Sequence, residues 1–216
     1  MFTQLEFLIA FRYLRSKRSE GFISVIAGFS LLGIILGVST LIIVMSVMNG
    51  FRAELIGRIL GLNGHLGVYE SSGFLTDFDK HAVAIGEVPD VITVTPQIEG
   101  QGLLVKNNIS TGVVVRGVRW TDLSARKQLW NSLNTKDPDG FKENRILIGK
   151  RLGERLGIKL GDKLVLITTE MQITAFGSVP KQQKFIVSGI FDVGMYEYDN
   201  SFVFIDLRKA QSLFGH

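Results

Sequence analysis

The sequence predicts an α+β protein: one N-terminal transmembrane helix followed by a mostly β domain with a protruding hairpin arm. Three observations predict it. Positions 22–48 hold no charged residue. Beyond position 90, short segments rich in Val, Ile and Leu alternate with polar residues, as half-buried strands do. Between them, glycines and brief amphipathic stretches mark turns and short helices.

The uncharged run contains no Pro, Asn or Gln. At about 1.5 Å per residue it makes roughly 40 Å of helix, more than the ~30 Å hydrocarbon core of a bilayer requires. A core helix of a soluble protein would not be apolar on every side over this length. A cleaved signal peptide would have an apolar region of only about 7–15 residues and a small-residue cleavage site. Here the run ends in Val47-Met48-Asn49-Gly50-Phe51, so an uncleaved anchor is expected. Arg12, Arg15, Lys17 and Arg18 crowd the near side of the run, and only Arg52 and Arg58 follow closely on the far side. The positive-inside rule puts the N-terminus in the cytoplasm and the main domain outside. Residues 2–15 read as a short interfacial helix. Gly33 and Gly37 form a GxxxG that lets a neighbouring helix approach closely.

The helical pattern continues through 51–60, with Gly61 and Gly64 expected to break it. The segments that follow are 1–21 as cytoplasmic or interfacial helix, 22–48 as span, 49–64 as helical extension and 65–216 as the main domain. In that domain 65–70 is extended and 76–86 helical. Strands are expected at 90–94, 102–106, 111–118, 146–148, 163–168, 184–191 and 201–205, and helices at 122–133, 150–156 and 207–214. Between 168 and 184 the chain is too long for an ordinary hairpin loop of two to five residues. It carries Met171, Ile173, Phe176 and Val179, which such an arm keeps either to bind a partner surface or to fold back on its own domain.

Several chemistries are excluded. The net charge is +4, but no basic stripe interleaved with aromatics marks a nucleic-acid interface, so no nucleic-acid partner is expected. With no cysteine, disulfides, thiolate zinc sites and cysteine nucleophiles are ruled out. The stretch Gly157-Ile158-Lys159-Leu160-Gly161-Asp162-Lys163 has the wrong spacing for a phosphate-binding loop. No nucleophile elbow occurs, and His65, His81 and His216 lack metal-ligand spacing. Asn108-Ile109-Ser110 matches a glycosylation acceptor only weakly. Acidic pairs such as Glu197 and Asp199 have no cleft assigned to them. The chain is therefore read as no enzyme, with no metal.

These residues resemble a known family. Arg12-Tyr13-Leu14, Ser46-Val47-Met48-Asn49-Gly50-Phe51, Ile148-Gly149-Lys150 with Leu156-Gly157 and Gly161-Asp162, Phe176-Gly177-Ser178-Val179-Pro180 with Phe185, and the run 189–199 are similar to the lipoprotein-releasing ABC transporter permeases LolC and LolE. The Gly-Asp stretch is shared more widely with MacB-like permeases. The resemblance implies a MacB-like periplasmic core and a membrane subunit in the bacterial inner membrane that passes outer-membrane lipoproteins to a periplasmic chaperone. It implies a second LolC/LolE-like permease, a LolD-like ATPase that binds the ATP, and a LolA-like chaperone, with lipoprotein cargo and membrane lipid as further partners. No cofactor is implied on this chain. The outer half of the span, at Leu41, Val44, Met45, Val47 and Met48, would line a cavity for acyl chains. The arm would hook the chaperone through Met171, Ile173, Phe176, Gly177, Val179 and Pro180. A complete permease of this kind has further membrane helices and an ATPase-docking loop beyond the region matched here. The alternatives are a MacB-like efflux or mechanotransmission permease, or a single-pass anchored periplasmic adaptor.

Overall fold

A run of Leu, Ile, Val and Gly without proline has one way to satisfy its amides away from water, the α-helix. In the computed structural model, which describes residues 4–14, 21–70, 75–137, 141, 144–174 and 177–215, that run lies within one continuous helix. The chain forms two units, Met1–Ile56 and Gly57–His216. The first holds α1 (Gln4–Leu14) and most of α2 (Gly21–Asn63), a helix of 43 residues. Side chains at 28–57 are exposed all round the helix. Thr40 donates its hydroxyl to the Leu36 carbonyl at 2.7 Å, so its one polar group is satisfied within the helix. Among the described residues, α2 is the helix long and apolar enough to cross a membrane. Arg15, Lys17 and Arg18 lie outside the described residues.

Gly61 does not break α2. The helix runs on to Asn63 and ends at Gly64, whose φ of 77° only glycine adopts readily. The Gly64 N–H donates to the Leu60 carbonyl at 2.9 Å. A Cβ at Gly61 would stand 2.1 Å from the Gln128 amide oxygen, the tip of a flexible side chain.

The second unit is built on six strands: β1 (Ile98–Lys106), β2 (Ile109–Val118), β3 (Arg145–Gly149), β4 (Lys163–Thr174), β5 (Gly177–Phe191) and β6 (Phe202–Asp206). They close into a barrel in the order β1-β2-β6-β3-β5-β4. β1 and β2 form a hairpin whose turn residues Asn107 and Asn108 both have positive φ, as the mirror-image type I′ turn requires. β2 runs parallel to β6 and β3 parallel to β5; the other neighbours are antiparallel.

Alternation along the strands separates two cores. Ile146 and Ile148 of β3 and Val203 and Ile205 of β6 face inward with Leu104, Val115, Leu166 and Phe185. Leu147 and Phe204, one residue out of phase, face outward with Leu62, Leu123, Leu129 and Phe191. These central strands are covered on both sides. The outer cover includes the last turn of α2, α4 (Trp120–Ala125), α5 (Lys127–Ser132) and α7 (Tyr196–Ser201). α6 (Lys150–Arg155) and α8 (Leu207–Phe214) add Leu152, Ala210, Leu213 and Phe214 to the barrel core.

Three expectations are corrected. The strand expected at 90–94 has no ladder partner among the described residues, and Ile92 is 97% exposed. The helix expected at 122–133 is two helices, because Arg126 leaves helical geometry (φ −83°, ψ 82°) to reach partners in other elements. The strands expected at 163–168 and 184–191 are longer, Lys163–Thr174 and Gly177–Phe191, so the expected hairpin arm is itself a paired ribbon. The helix expected at 76–86 is α3 (Phe78–Gly86).

Gly149 ends β3 with its backbone flush against α7. A Cβ there would stand 2.2 Å from the Asp199 carbonyl oxygen and 2.6 Å from its carbon. Backbone cannot yield as a side-chain tip can, so Gly149→Ala should cost about 3 kcal/mol by overpacking, read as a lowered urea midpoint. Gly112→Ala, with nothing within 4 Å, should cost far less.

Candidate functional site

Antiparallel strands that outrun their neighbours must leave the barrel as a two-stranded ribbon. β1 pairs with β4 only as far as Thr168. β4 and β5 pair from Lys163↔Ile186 to Ile167↔Gln182, and again from Met171↔Pro180 to Thr174↔Gly177. Residues 168–170 therefore stand opposite Lys181 as a bulge, which bends the ribbon and disrupts its ladder there.

The register sorts the predicted arm residues. Residues directly opposed on an antiparallel pair share a face. Met171 opposes Pro180 and Ile173 opposes Ser178, so Met171, Ile173 and Pro180 make one apolar face. Ile173 is 94% exposed. Val179 opposes Gln172 and lies on the other face. Gly177 opens β5 at φ 115°, a value suited to glycine at the turn. Phe176 lies outside the described residues.

A second constellation gathers where α2 ends. A helix end leaves carbonyls without intrahelical partners, and burying one unpaired is costly. Leu62 is 1% exposed. Its carbonyl accepts from Arg126 at 2.7 Å and from Arg116 at 3.2 Å. Arg116, itself 3% exposed, also donates to Asn63 Oδ1 at 3.1 Å and to Glu99 at 2.5 and 3.0 Å. Its guanidinium lies 4.9 Å from the Phe202 ring centre. Asn63 donates to the Tyr198 hydroxyl. Burial, reinforced by the neighbouring Arg116 charge, brings Arg126 down to about 10, still protonated at neutral pH. One turn earlier, Arg58 donates to the Gly194 carbonyl at 3.0 Å.

The loop holding Gly194 is itself tied by acids. Asp199, buried at 1% exposure, accepts from the Val193 and Gly194 amides at 2.9 and 3.0 Å. Burial pushes its carboxyl up, and Asp192 nearby adds to this. Asp192 goes the other way, held down chiefly by the hydrogen bond from Lys150 at 2.8 Å.

Sequence reasoning missed Arg116, Arg126 and this use of Asp199. A signal was present for the first: one arginine inside Val113-Val114-Val115-Arg116-Gly117-Val118, where a buried strand tolerates a charge only if it is paired.

In the span, helical geometry at about 100° per residue puts Leu41, Val44, Met45 and Met48 on one stripe, with Val47 about 60° beyond Val44. Gly33 and Gly37 continue the same stripe. An added Cβ at either would meet nothing within 4 Å, leaving room for a close neighbour.

A hairpin-bearing mixed barrel behind an apolar helix defines a class. The model of the MacB-like periplasmic core domain family matches residues 27–216, and the chain belongs to that family. More particularly, the chain is similar to the lipoprotein-releasing system transmembrane protein LolC. It is 34% identical to that of Xylella fastidiosa (strain Temecula1), over 99% of this chain and 52% of the relative. It is 33% identical to that of Neisseria meningitidis serogroup B, over 97% and 51%. The chain thus spans about half the length of the curated relatives it matches. Among solved structures, the periplasmic region of MacB from Actinobacillus actinomycetemcomitans aligns at TM-score 0.45 and 12% identity, covering 73% of this chain and 64% of that one.

Arg116→Ala strips charge-assisted bonds from the end of α2 and should cost about 2–3 kcal/mol. Glu99→Gln should cost under about 1 kcal/mol, since Glu99 is half exposed, 49% of its side chain. Urea unfolding of both variants in detergent checks the ranking.

Proposed function

We propose that this chain is a membrane subunit of an ABC transporter that releases outer-membrane lipoproteins from the inner membrane and passes them to a LolA-like periplasmic chaperone. The observation that carries the reading is the one-sided apolar arm, standing clear of its own barrel in a chain similar to LolC over nearly all its length. Exposed Met, Ile and Pro on a preformed ribbon offer a partner apolar contact with little ordering cost. A LolD-like ATPase supplies the energy, and a second LolC/LolE-like permease completes the membrane part. The chain sits in the inner membrane with its N-terminus cytoplasmic and its main domain periplasmic. Gly33 and Gly37 pack a neighbouring helix. Leu41, Val44, Met45 and Met48 face the acyl chains, where flexible apolar side chains suit a lipid of variable shape; Val47 flanks them.

Motion reaches the main domain through α2, whose last turn the two arginines grip. The family match also favours a second reading, a MacB-like efflux or mechanotransmission permease with other periplasmic partners.

Capture of a LolA-like chaperone separates the two. Met171→Glu and Ile173→Glu should each weaken it at least about tenfold, and Val179→Glu much less. Equal loss at all three, or none, sinks the one-sided hook. For the coupling, a Gly-Ser linker inserted after Leu60 in the assembled transporter should abolish lipoprotein release while leaving chaperone capture intact. Release at the normal rate refutes transmission through α2.

A further inference from the structure

Beyond the bulge the arm's own ladder runs on to Thr174↔Gly177, past the last residue that β1 pairs. At the bulge a side chain reaches back to the body. Lys181 Nζ lies 3.1 Å from the Ser212 carbonyl oxygen in the last turn of α8. That carbonyl belongs to the orphaned set at a helix C-terminus, where the macrodipole favours a cation. Gly215 closes α8 at φ 75° and donates its N–H to the Gln211 carbonyl, leaving the Ser212 oxygen to Lys181. A Cβ at Gly215 would stand 3.9 Å from Lys181 Nζ.

α8 is a fixed point. Ala210 sits where a Cβ on Gly117 would be 2.2 Å away, and the Phe214 ring where a Cβ on Gly100 would be 2.3 Å away. Two glycines of the barrel wall thus let α8 bed down against β1 and β2. Lys181 also lies at the pivot: it alone faces residues 168–170, and its carbonyl accepts from the buried Thr168 hydroxyl at 3.4 Å. The bulge supplies compliance, and the lysine supplies restraint from outside the ribbon. Strand alternation puts Val179, two residues before Lys181, on the same side of β5 as Lys181, and Pro180 on the other side with Met171 and Ile173.

We propose that Lys181 is the positioning residue that sets the pitch of the arm against α8, so that its apolar face is presented at one angle. The consequence for chaperone capture rests on the function proposed above; the angle itself does not.

The absence of cysteine makes the test direct. Spin labels at Ser178→Cys on the arm and Lys127→Cys on the body of the full chain in nanodiscs report the arm-to-body distance. Lys181→Met keeps the stem and removes the charge; it should broaden the distance distribution and weaken chaperone capture about two- to fivefold. Lys181→Arg should restore both. An unchanged distribution in Lys181→Met overturns the proposal, and so does broadening with no loss of capture. If the unmutated chain captures no chaperone, the functional reading fails, and the distance distributions still decide whether Lys181 sets the angle.

Discussion

The Leu62 carbonyl, buried at the end of a 43-residue helix and shared by two arginines, is the contact around which the outer layer of the domain is arranged. A buried helix end needs donors, and charged donors are the strongest available. Supplying them sets terms elsewhere. Arg126 must leave helical geometry, so α4 and α5 are separate. Arg116 must sit buried inside a strand, so Glu99 stands opposite it on the neighbouring strand and Phe202 packs beneath it. Asn63 ties the same helix end to Tyr198, and Arg58 ties it to Gly194, held in turn by Asp199.

The barrel gives this layer a wall to press on. The middles of β3 and β6, Ile146–Ile148 and Val203–Ile205, are buried on both sides, which explains their apolar runs. Close approach at the wall is managed with glycine: Gly149 under the Asp199 backbone, Gly117 under Ala210, Gly100 under Phe214. On the opposite side of the sheet order, β4 and β5 outrun β1 and become the arm. One architecture therefore yields a seated helix at one place and a free ribbon at another.

The residues bearing on the proposed function are grouped by the period of the element that carries them. A helix with 3.6 residues per turn and a ribbon with a period of two each sort residues onto faces by spacing alone. Leu41, Val44, Met45 and Met48 fall together on the first, and Met171, Ile173 and Pro180 on the second. Val47 and Val179 have the right chemistry at the wrong phase. Membership of the MacB-like periplasmic core family accounts for the scaffold, and the function proposed above assigns partner contact to the exposed face of the arm.

The sequence by itself determined the apolar helix, the α+β class, most strand positions and the existence of an arm, because these follow from local periodicity and uninterrupted hydrophobicity. It also carried the family resemblance in its Met-Asn-Gly-Phe and Gly-Met-Tyr-Glu-Tyr-Asp runs. Tertiary structure decided the rest. Gly61 reads locally as a helix breaker, but α2 runs through it to a buried end at Leu62, whose carbonyl two arginines hold. Residues 122–133 read as one helix, but the Leu62 carbonyl claims Arg126 from its middle. Residues 90–94 have strand composition, yet among the described residues no strand pairs with them. Which arm residues oppose one another depends on a bulge opposite Lys181, and a bulge is a property of two strands in register, which no single segment encodes. Pattern reports what a residue prefers alone; partners distant in the chain decide which preference is met.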